Sequence, residues 1–106
     1  MNFRYMRLLL FFDLPMETSK NRHDYAVFHK FLIKSGFIMM QKSVYSKLVV
    51  NGVISQAEKA RVGKNLPPEG IVELLEITEN QFSKIEYLVG KNQSTVEESM
   101  NRLVEI

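Results

Sequence analysis

The N-terminal pattern of apolar residues predicts a β-strand that is apolar on both faces. Over Tyr5–Leu14, Leu8 and Leu10 alternate with Leu9 and Phe11, so an extended chain would carry apolar side chains on either side. Strands of this kind are covered on both faces in folded proteins. The segment is therefore expected to need packing partners above and below it.

A helix is predicted directly after this strand. Pro15 ends the strand, and Thr18 or Ser19 can accept hydrogen bonds as a helix N-cap. The helix is predicted from about Ser19 to Ser35 and is closed by Gly36, at a position where helices tolerate left-handed geometry. Its core-facing side consists of Tyr25, Phe28, Phe31 and Leu32.

The remaining elements complete an alternating order of strands and helices. They are strands at Phe37–Met40 and Ser43–Val50, a weaker helix from about Ile54 to Leu66, a strand at Ile71–Thr78, a short helical turn at Thr78–Lys84, and strands at Ile85–Val89 and Arg102–Ile106. The resulting β-α-β-β-α-β order predicts an α+β, ferredoxin-like fold with an antiparallel sheet and additional C-terminal strands. Because no repeat or linker interrupts the sequence, we expect a single domain over residues 1–106.

This fold leaves one side of the sheet without helices. Both helices of a ferredoxin-like domain lie on the same side, so the face that carries Leu9 and Phe11 would be exposed in a monomer. Association of two copies through their sheets is the economical way to bury this face, and we expect a homodimer. Asp13 has the same parity as Leu9 and Phe11, so it would lie at the end of that face.

Composition restricts the class of protein. The sequence has no cysteine, which excludes disulfides, thiolate zinc sites and cysteine nucleophiles, and which fits a reducing, cytoplasmic environment. The longest apolar run is too short to cross a bilayer, and the N-terminus lacks the pattern of a signal peptide. We therefore expect no association with a membrane.

Charge is divided unevenly along the chain. The net charge is +2, but residues 1–47 hold eight Lys and Arg against three Asp and Glu, whereas residues 48–106 hold six against nine. This division is typical of a protein that presents one face to a polyanion and another to a protein, although chance segregation of solvated faces would give the same sums. The acids expected to meet a protein partner are Glu73, Glu76 and Glu79.

Basic residues of the first predicted helix are candidates for contact with phosphates. They recur at helical spacing along one stripe that also includes His23. Such contacts would give salt-sensitive affinity without sequence preference, whereas the alternative is that the stripe is only the solvated face of a surface helix. The residues predicted to bind nucleic acid are Lys20, Arg22, Lys30, Lys34 and Lys42, with Arg4 and Lys47 as further candidates.

Several longer segments resemble one known family. The segments "FFDLP", "FLIKSGF", "MMQKSVYSKL", "LLEITENQFSKIEYLVG" and "RLVEI" resemble, in this order and over nearly the whole chain, the CRISPR-associated protein two family in the form found with type II systems. The resemblance implies a ferredoxin-like homodimer in which the C-terminal strands, about residues 85–106, pack on the partner chain. It also implies a subunit of the spacer-acquisition complex that bridges two dimers of the CRISPR integrase and contacts double-stranded DNA or RNA.

The sequence departs from this family in the middle of the first helix. Relatives tend to place several Arg and Lys there, whereas "DYAVFHKF" has Asp24, Ala26, Val27 and His29. The basic surface is therefore expected to be thinner than in the family.

Asp13 is the residue onto which the resemblance carries metal binding and nuclease activity. A twofold axis near the strand end would bring two Asp13 carboxylates together, and such a pair is unfavourable unless a proton or a cation is shared. Mg²⁺ suits the pair, because it takes one or two carboxylates and keeps several waters. The alternative is a structural carboxylate that accepts N–H bonds from the turn at 16–18 or faces the positive end of the next helix.

These features are compatible with functions of different classes. The first is a non-catalytic, DNA-binding homodimer that spaces two integrase dimers, and the second is a magnesium-dependent endonuclease that acts on RNA or DNA through Asp13. The third is a ferredoxin-like regulatory domain that binds a small molecule, which the fold alone would permit. We favour the first, because one acidic residue per chain is a sparse catalytic site.

Overall fold

The computed structural model describes residues 5–90, and its strands and helices follow the predicted order. The strands are β1 (Met6–Asp13), β2 (Ile38–Gln41), β3 (Val44–Val49) and β4 (Ile71–Thr78), and the helices are α1 (Ser19–Lys34), α2 (Gly52–Gly63) and α3 (Glu79–Phe82). The strands form one antiparallel sheet in the order β2-β3-β1-β4. The predicted ferredoxin-like α+β fold is therefore confirmed.

β1 is a central strand, and its two faces have different surroundings. It pairs with β3 on one side and with β4 on the other. Leu8, Leu10 and Phe12 point toward the helices and belong to the hydrophobic core. Leu9 and Phe11 point to the opposite face, as the alternation of an extended strand requires. The prediction of a strand that is apolar on both faces is confirmed.

The core is built around the ring of Phe12. This ring stacks on Tyr45 at a centroid distance of 5.5 Å and meets Tyr25 and Phe28 edge to face at 5.7 and 5.5 Å. Aromatic pairs of this kind contribute about 0.5–1.5 kcal/mol beyond the area that they bury. Phe28 and Leu32 are the buried residues of α1, so the core face predicted for this helix is correct. The helix is thereby held against the end of β1.

Local hydrogen bonds determine where α1 begins and ends. Thr18 is the N-cap: its hydroxyl accepts a bond from the Asn21 amide at 3.0 Å, and the Asn21 side-chain oxygen accepts one from the Thr18 amide at 3.3 Å. This reciprocal arrangement satisfies amides that the helix itself leaves unpaired. At the other end Gly36 takes φ = 93°, which is the left-handed geometry that the sequence predicted.

α2 begins and ends earlier in the sequence than predicted. It begins behind the N-cap Asn51 and ends at Gly63 rather than near Leu66. The Asn65 side-chain amide donates to the Arg61 carbonyl at 2.9 Å, which satisfies an acceptor of the last turn and closes the helix early. Among the described residues, no helix combines the length and the apolar composition needed to cross a membrane.

The short helix α3 is fixed to the sheet by Arg7. The Arg7 guanidinium donates to both carboxylate oxygens of Glu79, at 2.8 and 2.6 Å, and lies 4.2 Å from the centroid of the Phe82 ring. A two-point ion pair of this kind fixes direction as well as distance. The helical turn that the sequence predicts after β4 is confirmed, and Arg7 determines how it lies against β1.

The strand predicted at Ile85–Val89 does not form within the described single chain. These residues follow α3 in an irregular conformation, and Leu88 and Val89 are 89% and 94% exposed. A strand needs a hydrogen-bonding neighbour, and none of the described strands pairs with this segment. The other predicted C-terminal strand, Arg102–Ile106, lies outside the described residues.

Tyr45 is the largest fully buried side chain of the described residues. Its hydroxyl is hydrogen-bonded to Nδ1 of His29, and burial, with a further effect of nearby Tyr25, raises the pKa of Tyr45 to about 12. The neutral phenol is therefore strongly favoured in the folded state.

This burial predicts a loss of stability at alkaline pH. Between pH 10 and pH 12 the unfolded state releases the Tyr45 proton while the folded state retains it, so the free energy of unfolding should fall as the pH rises through this window. In Tyr45→Phe this part of the decline should be absent, whereas Tyr87→Phe, at an exposed position, should keep it. Urea unfolding at several pH values measures the slope of the free energy of unfolding against pH. Equal slopes for the parent and Tyr45→Phe would contradict the prediction.

Candidate functional site

Asp13 lies at the exposed end of β1. It is the last residue of the strand, pairs in register with Ile71 of β4, and its side chain is exposed. Among residues 5–90 its carboxylate has no hydrogen-bond donor and no ion-pair partner. A carboxylate in this position keeps its acceptor atoms available for a ligand.

Other residues fill the structural role that was the alternative for Asp13. The amide of Thr18, in the turn at 16–18, is bonded to Asn21, and the N-cap of α1 is Thr18. Capping of α1 therefore does not require the Asp13 carboxylate. Its position at the strand end has to be explained in another way.

One chain offers only part of a metal site at this position. The described residues contain no group of three or more His, Cys, Asp or Glu that could hold a metal ion. The exposed, unengaged Asp13 carboxylate fits Mg²⁺ as one of few protein ligands, since this ion retains several waters. The donor set therefore fits the ion only if a second chain contributes its own carboxylate.

Asp13 borders an apolar surface that we call the open sheet face. It is the side of the sheet opposite α1 and α2, and the strand registers put eight apolar side chains on it. Leu9 is buried, three others are half-buried, and the remaining four are exposed although they are large and apolar. The residues of the open sheet face are Leu9, Phe11, Ile38, Val44, Leu48, Ile71, Leu75 and Ile77.

The predicted basic stripe of α1 is only partly brought together. Lys30 and Lys34 lie with His23 along a groove of about 390 Å³ that we call the α1 groove. Lys20 is held in an exposed ion pair with Asp24 at 3.0 Å. The described lining of the α1 groove consists of His23, Ala26, Val27, Lys30, Phe31 and Lys34.

Arg22 and Lys42 lie apart from this groove, and neither has an ion-pair partner among residues 5–90. The Arg22 guanidinium donates to the backbone carbonyls of Met16 and Glu17 at 3.1 and 3.3 Å. The exposed Lys42 lies in the turn between β2 and β3, where its carbonyl accepts a bond from the Tyr25 hydroxyl at 3.1 Å. Both cations remain candidates for phosphate contact on the surface of the molecule.

Lys47 is not available to a phosphate, which corrects one of the further candidates. Its ammonium is 3.1 Å from the Glu58 carboxylate and donates to the Ser35 carbonyl at 2.6 Å, on the side of the sheet that α2 covers. A strand residue of this parity faces the helices, so its charge has to be satisfied inside the molecule. The other further candidate, Arg4, lies outside the described residues.

Two of the three acids predicted to meet a protein partner are also paired within the chain. Lys59 donates to Glu76 at 2.6 Å, and this hydrogen bond lowers the pKa of the Glu76 carboxyl. Glu79 is the partner of Arg7. Only Glu73 remains exposed without such a partner among the described residues, and it lies opposite Phe11 on the open sheet face.

The sequence analysis did not predict two features, the ion pair of Arg7 and the apolar floor of the α1 groove, although the sequence contains a signal for each. Arg7 lies on the same face of β1 as Leu9 and Phe11. A cation therefore interrupts this apolar face, and its charge needs a carboxylate nearby. The apolar floor of the α1 groove, which includes Val27 and Phe31, has the same helical spacing as the basic residues that border it. Neither signal identifies its partner without the fold.

The sequence matches known proteins over most of its length. The family model described as CRISPR associated protein Cas2 matches residues 6–85. A protein of Treponema denticola named CRISPR-associated endoribonuclease Cas2 is 52% identical over 93% of this chain and 98% of its own length. Proteins of the same name from Streptococcus mutans and Ligilactobacillus salivarius are 44% and 41% identical over 93% of this chain, and over 91% and 98% of their own lengths. Together with the ferredoxin-like fold and the carboxylate at the end of β1, these matches show that the chain belongs to the CRISPR-associated Cas2 family.

Proposed function

We propose that the protein is a DNA-binding homodimer of the CRISPR adaptation complex, in which it bridges integrase dimers during spacer integration. The observation that carries this proposal is the open sheet face, which ends in Asp13. Two copies that pair through this face would turn their α1 helices outward on opposite sides. The dimer would then be a two-sided body with a cationic helix on each outer surface.

The open sheet face supports dimerisation by its exposed apolar side chains. Burial of one Leu or Ile side chain stabilises by about 1.5–3 kcal/mol, so burial of several would favour a stable dimer. Within the described residues, β4 pairs only with β1 and has a free edge, while Leu88 and Val89 are exposed. This combination supports packing of residues from about 85 to 106 on the partner chain.

A charge placed on the open sheet face should weaken the dimer. Leu75 is 50% exposed on this face, and Leu66 is 51% exposed on the loop after α2, so the two positions are matched in exposure. Leu75→Glu should raise the dissociation constant roughly tenfold or more, because the carboxylate would be buried against the partner. Leu66→Glu should leave it unchanged. Sedimentation equilibrium measures both constants, and equal values for the two variants would contradict this interface.

The distribution of paired charges supports contact between α1 and nucleic acid. In the second half of the chain Glu58, Glu76 and Glu79 neutralise cations of the same molecule. Lys30 and Lys34 have no ion-pair partner among the described residues and border the α1 groove. The outer surface of α1 is therefore left with net positive charge, which attracts a polyanion irrespective of its sequence.

Removal of the two lysines should reduce both the affinity for duplex DNA and its dependence on salt. For each phosphate that the variant no longer neutralises, the logarithmic salt slope should become shallower by about 0.9. The double variant Lys30→Gln/Lys34→Gln is compared with the double variant Lys64→Gln/Lys84→Gln. The second variant removes the same charge from exposed positions outside α1. Fluorescence anisotropy over a salt titration measures the slopes. If both double variants reduce the slope equally, only net charge matters and α1 is not the contact surface.

Phosphodiester hydrolysis is the second candidate function, and the exposed Asp13 carboxylate favours it. The relatives described above are named endoribonucleases. Asp13 and Asp13 of the partner subunit would hold Mg²⁺, which can polarise a phosphoryl oxygen when it is bound. The alternative of a regulatory domain that binds a small molecule has only the fold in its favour.

Asp13→Asn separates the architectural function from the catalytic one. The substitution keeps the shape of the side chain but removes the charge that would hold the cation, so magnesium-dependent cleavage of RNA or DNA should be lost. Spacer acquisition in cells that carry the matching integrase should persist. Glu17→Gln, at the nearby exposed acid, should change neither activity. Loss of acquisition by a dimeric Asp13→Asn protein would contradict a purely architectural function in acquisition.

A further inference from the structure

We infer that Gly70 is a positioning residue for Asp13, and that its missing side chain determines where the carboxylate lies. This inference rests on the proposed role of Asp13 as a cation ligand shared by two chains. Gly70 immediately precedes β4, and the first residue of that strand, Ile71, pairs with Asp13. The backbone of Gly70 therefore passes directly beside the end of β1.

The contact at this point leaves no room for a side chain. A Cβ atom at Gly70 would lie 2.7 Å from the Asp13 carbonyl oxygen, 2.7 Å from Cδ2 of Leu14 and 3.1 Å from Cα of Leu14. Carbon atoms in proteins pack at about 3.5–4.0 Å, so something would have to move. The Asp13 oxygen belongs to the backbone, and a shift there moves the whole residue.

The turn that carries Gly70 is itself held in place. Asn21 donates from its side-chain nitrogen to Glu69 at 2.9 Å, while its side-chain oxygen accepts the bond from the Thr18 amide. One amide thus joins the N-terminus of α1 to the residue before Gly70. Because this link opposes movement of the turn away from β1, part of the displacement caused by an added methyl group would fall on Asp13 and Leu14.

Gly70 also has a backbone conformation that side chains rarely adopt. Its φ is 100°, in the left-handed region that favours glycine. Gly36 has a similar φ of 93°, but a Cβ there would meet only the end of the Lys47 side chain, at 3.4 Å, and no backbone atom. The two glycines therefore share the conformational requirement, and only Gly70 adds the contact with Asp13.

Symmetry increases the effect of such a displacement. In a site shared across a twofold axis, both carboxylates move together, so the distance between them changes by up to twice the shift of either chain. Mg²⁺ requires near-ideal geometry at short distances, and it tolerates such changes poorly. A small backbone shift at Asp13 should therefore weaken cation binding more than it weakens folding.

The test compares Gly70→Ala with Gly36→Ala in the full-length dimer. Both variants should lose stability to denaturant, because both force alanine into a left-handed conformation, and Gly70→Ala should lose more, because its methyl group also meets Asp13 and Leu14. In metal-free protein only Gly70→Ala should shift the NMR amide resonances of Asp13 and Leu14. Only Gly70→Ala should weaken binding of Mn²⁺, followed by electron paramagnetic resonance as a probe for Mg²⁺, by roughly tenfold or more.

Two outcomes would overturn the inference. One is that Gly70→Ala leaves the Asp13 and Leu14 resonances where they are in the parent, and the other is that both variants weaken Mn²⁺ binding equally. Asp13→Asn tests the proposed role separately: if it binds Mn²⁺ as the parent does, Asp13 is not the ligand, and the metal-free resonances still decide whether Gly70 positions it. If Gly70→Ala fails to fold, Glu69→Ala releases the same turn from Asn21. It should then shift the Asp13 resonance, and an unchanged resonance would contradict the inference.

Discussion

The structure depends on a single strand that is apolar on both faces and lies between two others. The helix-facing side of β1 packs on α1, where Phe12 is surrounded by aromatic rings. On its other side, within the described residues, only the short helix α3 lies against it, at Arg7, because both long connections of a ferredoxin-like domain cross on the helix-covered side. The same strand therefore specifies the core of one chain and the need for a second chain. The same strand places Asp13, because the alternation that puts Leu9 and Phe11 on the open sheet face also directs the carboxylate there.

The positive surface of α1 comes from its own excess of cations over acids, because the ion pairs elsewhere in the chain neutralise equal numbers of both. Lys47 and Lys59 lie between α2 and the sheet, where their ion pairs with Glu58 and Glu76 satisfy groups that are costly to bury alone. These pairs remove two acids from the surface of the second half of the chain. α1 has few acids of its own, and Asp24 neutralises only Lys20. The electrostatic asymmetry therefore arises from composition, and above all from the excess of Lys and Arg in α1.

The sequence predicts the fold well because the relevant signals are local. The alternation of β1, the N-cap at Thr18 and the glycine after α1 each depend on neighbouring residues, and the structure confirms all of them. The strand predicted at Ile85–Val89 does not form in the single chain, because a pattern indicates only the tendency to be a strand, whereas a strand exists only beside a hydrogen-bonded partner. The prediction for Lys47 fails for a related reason. Its exposure depends on which face of β3 α2 covers, and spacing along the chain does not contain that information.

The candidate ligand Asp13 lies on a strand rather than on a loop. A site shared by two chains explains this position, because it requires each carboxylate to be placed precisely. When each chain supplies one carboxylate, no neighbouring ligand of the same chain can correct a misplaced one, so the precision has to come from the backbone. At the end of β1 the Phe12 amide donates to the Ser43 carbonyl at 3.1 Å, and Asp13 is paired with Ile71. Gly70, directly before Ile71, passes so close to the Asp13 carbonyl on this side that no side chain fits between them. A loop would allow the carboxylate to adapt to a ligand, but a strand end held by a neighbouring strand on each side presents it in one place, which is the condition that a twofold pair requires.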